Sequence, residues 1–367
     1  MPRTFYVGCY TAGAGGTARG IEVVTHDPGT GAWTILPAGV GQAVGSDPVP
    51  AASPSYLAWH PDGRHLYAVA EVPDGKVLAF EVGEPGDPPR LIGSSSTGGA
   101  HPCHLAVDPS GAFLVSANYG SGSLSVHPIL ADGSLGERSD LLQHDGSGPN
   151  EERQAGPHAH MACFGGDNLL LAVDLGVDGV GSYRLEPITG RLTAAPTPWS
   201  SLPPGFGPRH LVLLPEHLVA VAGELTGEMA LMRLDRGGGG LTLLHRVPGT
   251  ATGQPSSPSG LARTSDGRFV LMANRGPDTV SAFEVLRDAS DGPPRLVLVD
   301  EIGCGGHNPR DITLIDGTVY VANQGSGSIA VLGIDPDTGA LTVAGATLAL
   351  PSPTHLLPSP AQVEEQP

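Results

Sequence analysis

The chain has 367 residues, of which 54 are glycine and 36 proline, and only 15% are charged. So much glycine and proline excludes a helical bundle or coiled coil, because both residues interrupt helices, and a 40% hydrophobic fraction excludes a disordered chain. The formal net charge of −18 argues against nucleic acid or an anionic membrane surface as partner, and no apolar run is long enough to span a bilayer.

In chain order, the first segment is TFYVGCYTAGAGGTARGIEVVTHDPGTGAWTIL, starting at Thr4. It reads as two apolar strands around a Gly-rich loop, then the turn Asp27-Pro28-Gly29-Thr30-Gly31 and a third strand. No apolar stretch of a signal peptide precedes it, so a cytoplasmic location is expected. A diverged repeat follows, each copy opening on a proline: PSYLAWHPDG at Pro54, PCHLAVDPSG at Pro102, PHAHMACFGG at Pro157, PRHLVLLPEH at Pro208, PSGLARTSDG at Pro258, PRDITLIDG at Pro309 and a truncated PTHLLP at Pro353. The starts lie 44 to 55 residues apart. Each full copy reads as a short apolar strand, a turn such as His60-Pro61-Asp62-Gly63 or Asp108-Pro109-Ser110-Gly111, a second apolar strand, a Gly-containing loop, a third alternating strand and a more polar fourth.

Four short strands per roughly 50 residues mark a β-propeller blade. The expected fold is all-β: a seven-bladed β-propeller with four antiparallel strands per blade. The seventh start has only its first strand, and the N-terminal segment supplies the rest, so N- and C-terminal strands close one shared blade with no open ring edge. We expect a single domain over 1–360 and a disordered tail over 361–367. The Pro/Gly/Ser-rich stretches from Asp145 and from Thr250 to Ser259 read as loops between blades, and Gly237 to Gly240 as a hairpin turn.

The cysteines Cys9, Cys103, Cys163 and Cys304 form no CxxC pair, and read as reduced structural or idle thiols. Lys76 is the only lysine, so cationic work falls to arginine.

The repeat also maps polar residues into space. The start of a blade's first strand and the end of its antiparallel second strand share one face near the axis. First-strand starts contribute His104, His160, Arg209, His210, Arg310 and His355, and second-strand ends contribute Glu71, Asn118, Tyr119, Asp174, Glu224, Asn274, Arg275, Asn323 and Gln324. Such a ring suits a small anionic or polyhydroxy molecule. The asparagines of SANYG, MANRG and VANQG also have a loop-supporting reading, and His104, His210 and His355 share a slot that can serve the repeat itself. His160, Arg209, Glu224 and Arg275 break the repeat instead of following it. His158, two residues before His160, is expected on the same strand face and is an alternative mouth histidine.

PHAHM (157–161), VDLGVD (173–178), GPRHLVLLP (207–215), GEL (223–225), ANRGPDTVSAFEV (273–285) and VANQGSGSIAVL (321–332) resemble the lactonase-type seven-bladed propellers, which include propeller-type 6-phosphogluconolactonases and 3-carboxy-cis,cis-muconate lactonizing enzymes. The resemblance covers nearly the whole chain. It implies a functional His, two Arg and a Glu at the channel mouth, falling on His160, Arg209, Arg275 and Glu224, with no metal and no organic cofactor. Two positions depart from the pattern: Gly223 stands where Asn is usual, and Phe164-Gly165-Gly166-Asp167 replaces an Asp-Pro-Asp-Gly turn.

The implied activity is metal-independent hydrolysis of a sugar-derived lactone such as 6-phosphoglucono-1,5-lactone. Muconate-type cycloisomerisation and a non-enzymatic scaffold are the alternatives. Arg209 and Arg275 are expected to hold the anionic group and the developing oxyanion, with Glu224 or His160 as general base. His158, His104, Asn118, Asp174, His210, Asn274, Arg310 and Asn323 are expected to contact the substrate. A monomer is expected.

Overall fold

Short runs of β-branched and apolar residues, punctuated by Gly and Pro, leave hairpin-linked strands as the main way to satisfy the backbone. The computed structural model describes residues 2–36, 49–166, 168–287 and 292–360; the expected tail, 361–367, and Asp167 of the third blade's turn lie outside them. Among the described residues there are seven antiparallel sheets, each with a four-strand path, and in six of them neighbours in sequence are neighbours in the sheet. The helical content is two short 3-10 turns, Ala12–Ala14 and Pro215–His217.

The innermost strands are Leu57–Trp59, Pro102–Val107, Ala159–Phe164, Pro208–Leu214, Ser257–Arg263, Pro309–Ile315 and Pro353–Pro358. Each contacts the next around the axis, and the last contacts the first, so the ring is closed. The seventh blade is composite. Pro353–Pro358 pairs antiparallel with Arg3–Cys9, which pairs with Gly20–Asp27, and Ala32–Ile35 completes the blade.

One boundary differs from expectation. Ser257–Ser259, read as loop, opens the fifth inner strand, because Ser257 and Pro258 pair with Arg275 and Asn274. The Gly237–Gly240 turn is tight: the Asp235 carboxylate accepts the N–H groups of Gly237 and Gly238, and Gly239 takes φ +81°, which only glycine adopts cheaply.

The core consists of seven apolar clusters, one between each adjacent pair of blades. Each fully buried Leu or Phe in them contributes roughly 1.5–3 kcal/mol. Between the sixth and seventh blades, Tyr320 packs on Phe5 at 4.6 Å, and its hydroxyl meets Arg3 at 3.1 Å and His26 at 2.9 Å.

The inner strands share a defect that shapes the site. In five blades the pairing between first and second strand skips just after the opening proline, and in the third blade it skips after Ala159, two residues past Pro157. The residues left out are Thr354, Cys103, His160, Arg209 with His210, Ser259 with Gly260, and Arg310. A bulge of this kind re-aims a side chain that strict alternation would send elsewhere. Here it brings Cys103, His160, Arg209, His210, Arg310 and Thr354 together at one end of the axis.

Candidate active site

At that end of the channel, Ser55, Tyr56, Cys103, His160, Arg209, His210, Arg310, Asp311 and Thr354 surround a cavity of about 10 Å³, room for one water. The channel is therefore nearly filled at this level. The fifth blade contributes Ser259 and Gly260; a Cβ on Gly260 would lie 2.8 Å from the Asp311 backbone.

The charged centre is Glu224, buried at the end of the fourth blade's second strand. Its carboxylate accepts from Arg209 at 2.5 Å, Arg153 at 2.6 Å and Arg275 at 2.9 Å. Burial opposes its ionisation, but the guanidinium groups of Arg209, Arg275 and Arg153 outweigh that and hold the carboxyl well below the usual carboxylate range. Arg275 is fixed from behind by the carbonyls of Ser257 and Pro258. Phe206 packs against the residue before this glutamate: a Cβ on Gly223 would sit 2.7 Å from its ring.

Arg153 comes from the loop that begins at Asp145, where the sequence shows no repeat signal. Asn150 caps a turn by accepting the N–H groups of Glu152 and Arg153. The buried Gln154 side chain anchors that turn on the Leu175 carbonyl and the Asp178 carboxylate. The turn thus presents Arg153 to Glu224 and to the Tyr119 hydroxyl, 3.3 Å away.

A second carboxylate lies at the same mouth. Glu71 accepts from the hydroxyls of Ser55 and Tyr10, and the Tyr10 hydroxyl also accepts from Arg310. Tyr10 ends the second strand of the composite blade, the slot that Glu71 and Tyr119 fill in theirs, so the repeat map extended to the seventh blade finds it. Arg153, Arg209, Arg275 and Arg310 against Glu71 and Glu224 leave two positive charges in excess, in a chain of net charge −18.

His160 is buried next to this cluster. Burial first, then Arg209, push its imidazole well below its ordinary range, so it is neutral at pH 7. Its Nδ1 lies 3.7 Å from Cys103 Sγ. Burial pushes the Cys103 thiol up, so Cys103 lines the site as a neutral thiol. All four cysteines are free.

His210 and His104 lie deeper. Both are buried and neutral, His104 pushed down to about 3 by burial and by His355. Tyr56 stacks between His104 and His355, at 4.0 and 3.9 Å.

The remaining expected residues divide. His158 is not on the face of His160, because the bulge at His160 breaks the alternation. It sits outside the strand, stacked 4.5 Å from Tyr119, and its Nδ1–H donates to the Tyr119 carbonyl. Asp174 is fully buried and serves its blade: it accepts from His144 Nδ1 and from the N–H groups of His158 and Gly176. Asn118, Asn274 and Asn323 are fully buried and do not reach the mouth. Their amides donate to Ser123, to Thr279, Ser281 and the Gly249 carbonyl, and to the Cys304 carbonyl. In all four the side chain closes its own blade's loops, the alternative that the repeated Asn left open.

The comparisons agree with this architecture. The family described as "Lactonase, 7-bladed beta-propeller" matches residues 4–358. The 6-phosphogluconolactonase of Bacillus subtilis is 32% identical over 82% of this chain and 86% of its own length. That of Formosa agariphila is 29% identical over 78% and 83%. The crystal structure of the periplasmic gluconolactonase of Pseudomonas aeruginosa superposes with a TM-score of 0.86 at 28% identity, covering 98% of this chain and 99% of its own.

Proposed function

The chain belongs to the seven-bladed β-propeller lactonase family and is a lactone-hydrolysing carboxylic ester hydrolase, and we propose that its substrate is 6-phosphoglucono-1,5-lactone, hydrolysed to 6-phosphogluconate in carbohydrate metabolism by the pentose phosphate route. The observation that carries this reading is the excess of arginine at one mouth of a strongly acidic chain. A doubly charged phosphate finds there a concentrated cluster of guanidinium groups, and guanidinium groups bind phosphate through paired hydrogen bonds. The names of the relatives support the same substrate.

In this proposal His160 is the general base and Glu224 is not. Both groups are unprotonated at pH 7, but both Glu224 oxygens are held by guanidinium groups, whereas the His160 ring meets the neutral Cys103 thiol. Water adds to the lactone carbonyl carbon as His160 takes its proton. The charge developing on the carbonyl oxygen falls to the arginines, whose positions Glu224 fixes before substrate arrives. The ring C–O bond then breaks, and the leaving oxygen recovers the proton as a hydroxyl. Arg153 and Arg275, the more open guanidinium groups, face the phosphate. The scheme uses no metal and no organic cofactor.

A monomeric cytoplasmic enzyme belongs to the same proposal; the ring's closure on itself supports the monomer. Purified protein with chelator present should accelerate hydrolysis of freshly made 6-phosphoglucono-1,5-lactone above the spontaneous rate. It should discriminate against the unphosphorylated lactone, and Arg209→Ala should abolish the acceleration. Equal rates on the two lactones would remove the phosphate assignment.

A further inference from the structure

The hairpin turn between the first two strands of the first blade carries chemistry that the lactonase site does not use. It lies at the opposite end of the channel, where every first strand meets its second. We propose that His60, Asp62 and His65 form a binding site for a borderline divalent transition metal, zinc(II) by preference, that clasps this turn against the second blade.

Each of the three offers one ligand atom, and the three atoms lie within 4.8 Å of one another. The Asp62 carboxylate is the hub, 3.1 Å from His60 Nδ1 and 2.7 Å from His65 Nδ1. Bond lengths of about 2.0–2.2 Å in a tetrahedral zinc shell put neighbouring ligand atoms about 3.3 Å apart. The Asp62 oxygens thus need to move about half an ångström or less from each imidazole nitrogen, and the two imidazole nitrogens start within 4.8 Å of each other. The equivalent turns of the second and fifth blades, Asp108-Pro109-Ser110-Gly111 and Thr264-Ser265-Asp266-Gly267, have neither histidine.

The second observation concerns the ring of His60. Its Nε2–H donates to the Gly111 carbonyl of the second blade's own turn, at 3.0 Å. That bond fixes the tautomer with the Nδ1 lone pair directed at the Asp62 side of the cluster. A second ring nitrogen anchored on a backbone carbonyl is the support metal-binding imidazoles ordinarily have. Its partner belongs to the neighbouring blade, so a metal on Nδ1 stiffens the blade-to-blade contact.

Metal binding displaces two hydrogen bonds. His65 Nδ1–H now donates to Asp62; its proton moves to Nε2 so that Nδ1 can coordinate. The Asp62 N–H now donates to His60 Nδ1 at 3.1 Å; it lies on an exposed turn and passes to water. The remaining positions open onto a cavity of about 230 Å³ lined in part by Ser110, Ala112, Ile129 and Leu130, which leaves room for metal-bound water. Two imidazoles and one carboxylate favour zinc, nickel or copper over magnesium or calcium.

The test is titration of chelator-treated protein with zinc chloride by calorimetry, with cobalt(II) absorption as the spectroscopic probe. One zinc per chain, a cobalt spectrum of nitrogen and oxygen ligands at low coordination number, and a rise in the unfolding midpoint with zinc are expected, because a ligand of the folded state stabilises it by mass action. His60→Asn and His65→Asn should each lower zinc affinity at least tenfold, while His217→Asn, at an exposed histidine elsewhere, should not. The His60 and His65 variants should keep wild-type lactone hydrolysis in chelator, which shows they are folded. Absence of stoichiometric binding to wild type, or binding unchanged in both variants, overturns the proposal.

Discussion

Glu224 accepts hydrogen bonds from three guanidinium groups, two of them largely withdrawn from water. Its role is to hold those groups in place, and the consequence is measurable. Removing one partner of a buried ion pair costs about 3–5 kcal/mol, because the other charge stays buried and unpaired. Glu224→Ala should therefore lower both stability and activity, and denaturant unfolding beside kinetics will show whether the two losses arrive together. His160→Asn should behave differently. It removes a general base and leaves the arginines intact, so kcat should fall about 10²–10⁴-fold with KM little changed. Arg153 is the most open member of the cluster, so Arg153→Ala should act mainly through KM for the phosphorylated lactone. If His160→Asn turned over like wild type, the base would have to be sought elsewhere at the mouth, with Glu71 next in line.

At the scale of elements, the bulge near the start of six of the inner strands is the device that makes a site from a repeat. Alternation along a regular strand would bury every second residue between blades. The skipped pairing frees His160, Arg209 and Arg310 to face the axis. The composite seventh blade is the other decisive element. Its inner strand is held by the pairing of Phe5, Tyr6, Val7 and Gly8 with Pro358, Leu357, Leu356 and His355, and Leu356 is buried in the cluster between the sixth and seventh blades. Leu356→Ala should cost about 2–5 kcal/mol. It should also raise hydrogen exchange in the Arg3–Cys9 strand more than in the third blade. Uniform exchange across blades would show that closure is not the weak seam.

For the molecule as a whole, the axis carries a liability. His104, His160 and His210 are kept neutral by burial. Their folded-state pKa values lie below the unfolded value of about 6.5. Between those limits the unfolded chain binds more protons than the folded one, so stability rises with pH there and is lost as pH falls. Glu224, held low in the folded state, adds to the loss at still lower pH. The unfolding free energy should fall as pH drops below about 6.5, by up to about 1.4 kcal/mol per pH unit for each such histidine. The acid limb of kcat/KM should in turn lie below pH 6.5, since His160 stays unprotonated until then. A flat stability profile from pH 7 to 5 would contradict the buried neutral state of these side chains.

The sequence by itself determined the ring. Prolines 44 to 55 residues apart, turn signals and alternating strands fixed the blade, the count of seven and the shared closing blade, because each is encoded by local residues repeated at one period. The same period brought His160, Arg209, Glu224 and Arg275 to one mouth. Tertiary structure alone decided which polar residues face the axis. His158 and His160 looked equivalent until a bulge separated them, and Asn118, Asn274 and Asn323 look alike from sequence whether they serve a ligand or a loop. Arg153 escaped notice for a related reason. A loop's reach depends on anchors such as Gln154 on Asp178, and these join residues that no local pattern relates.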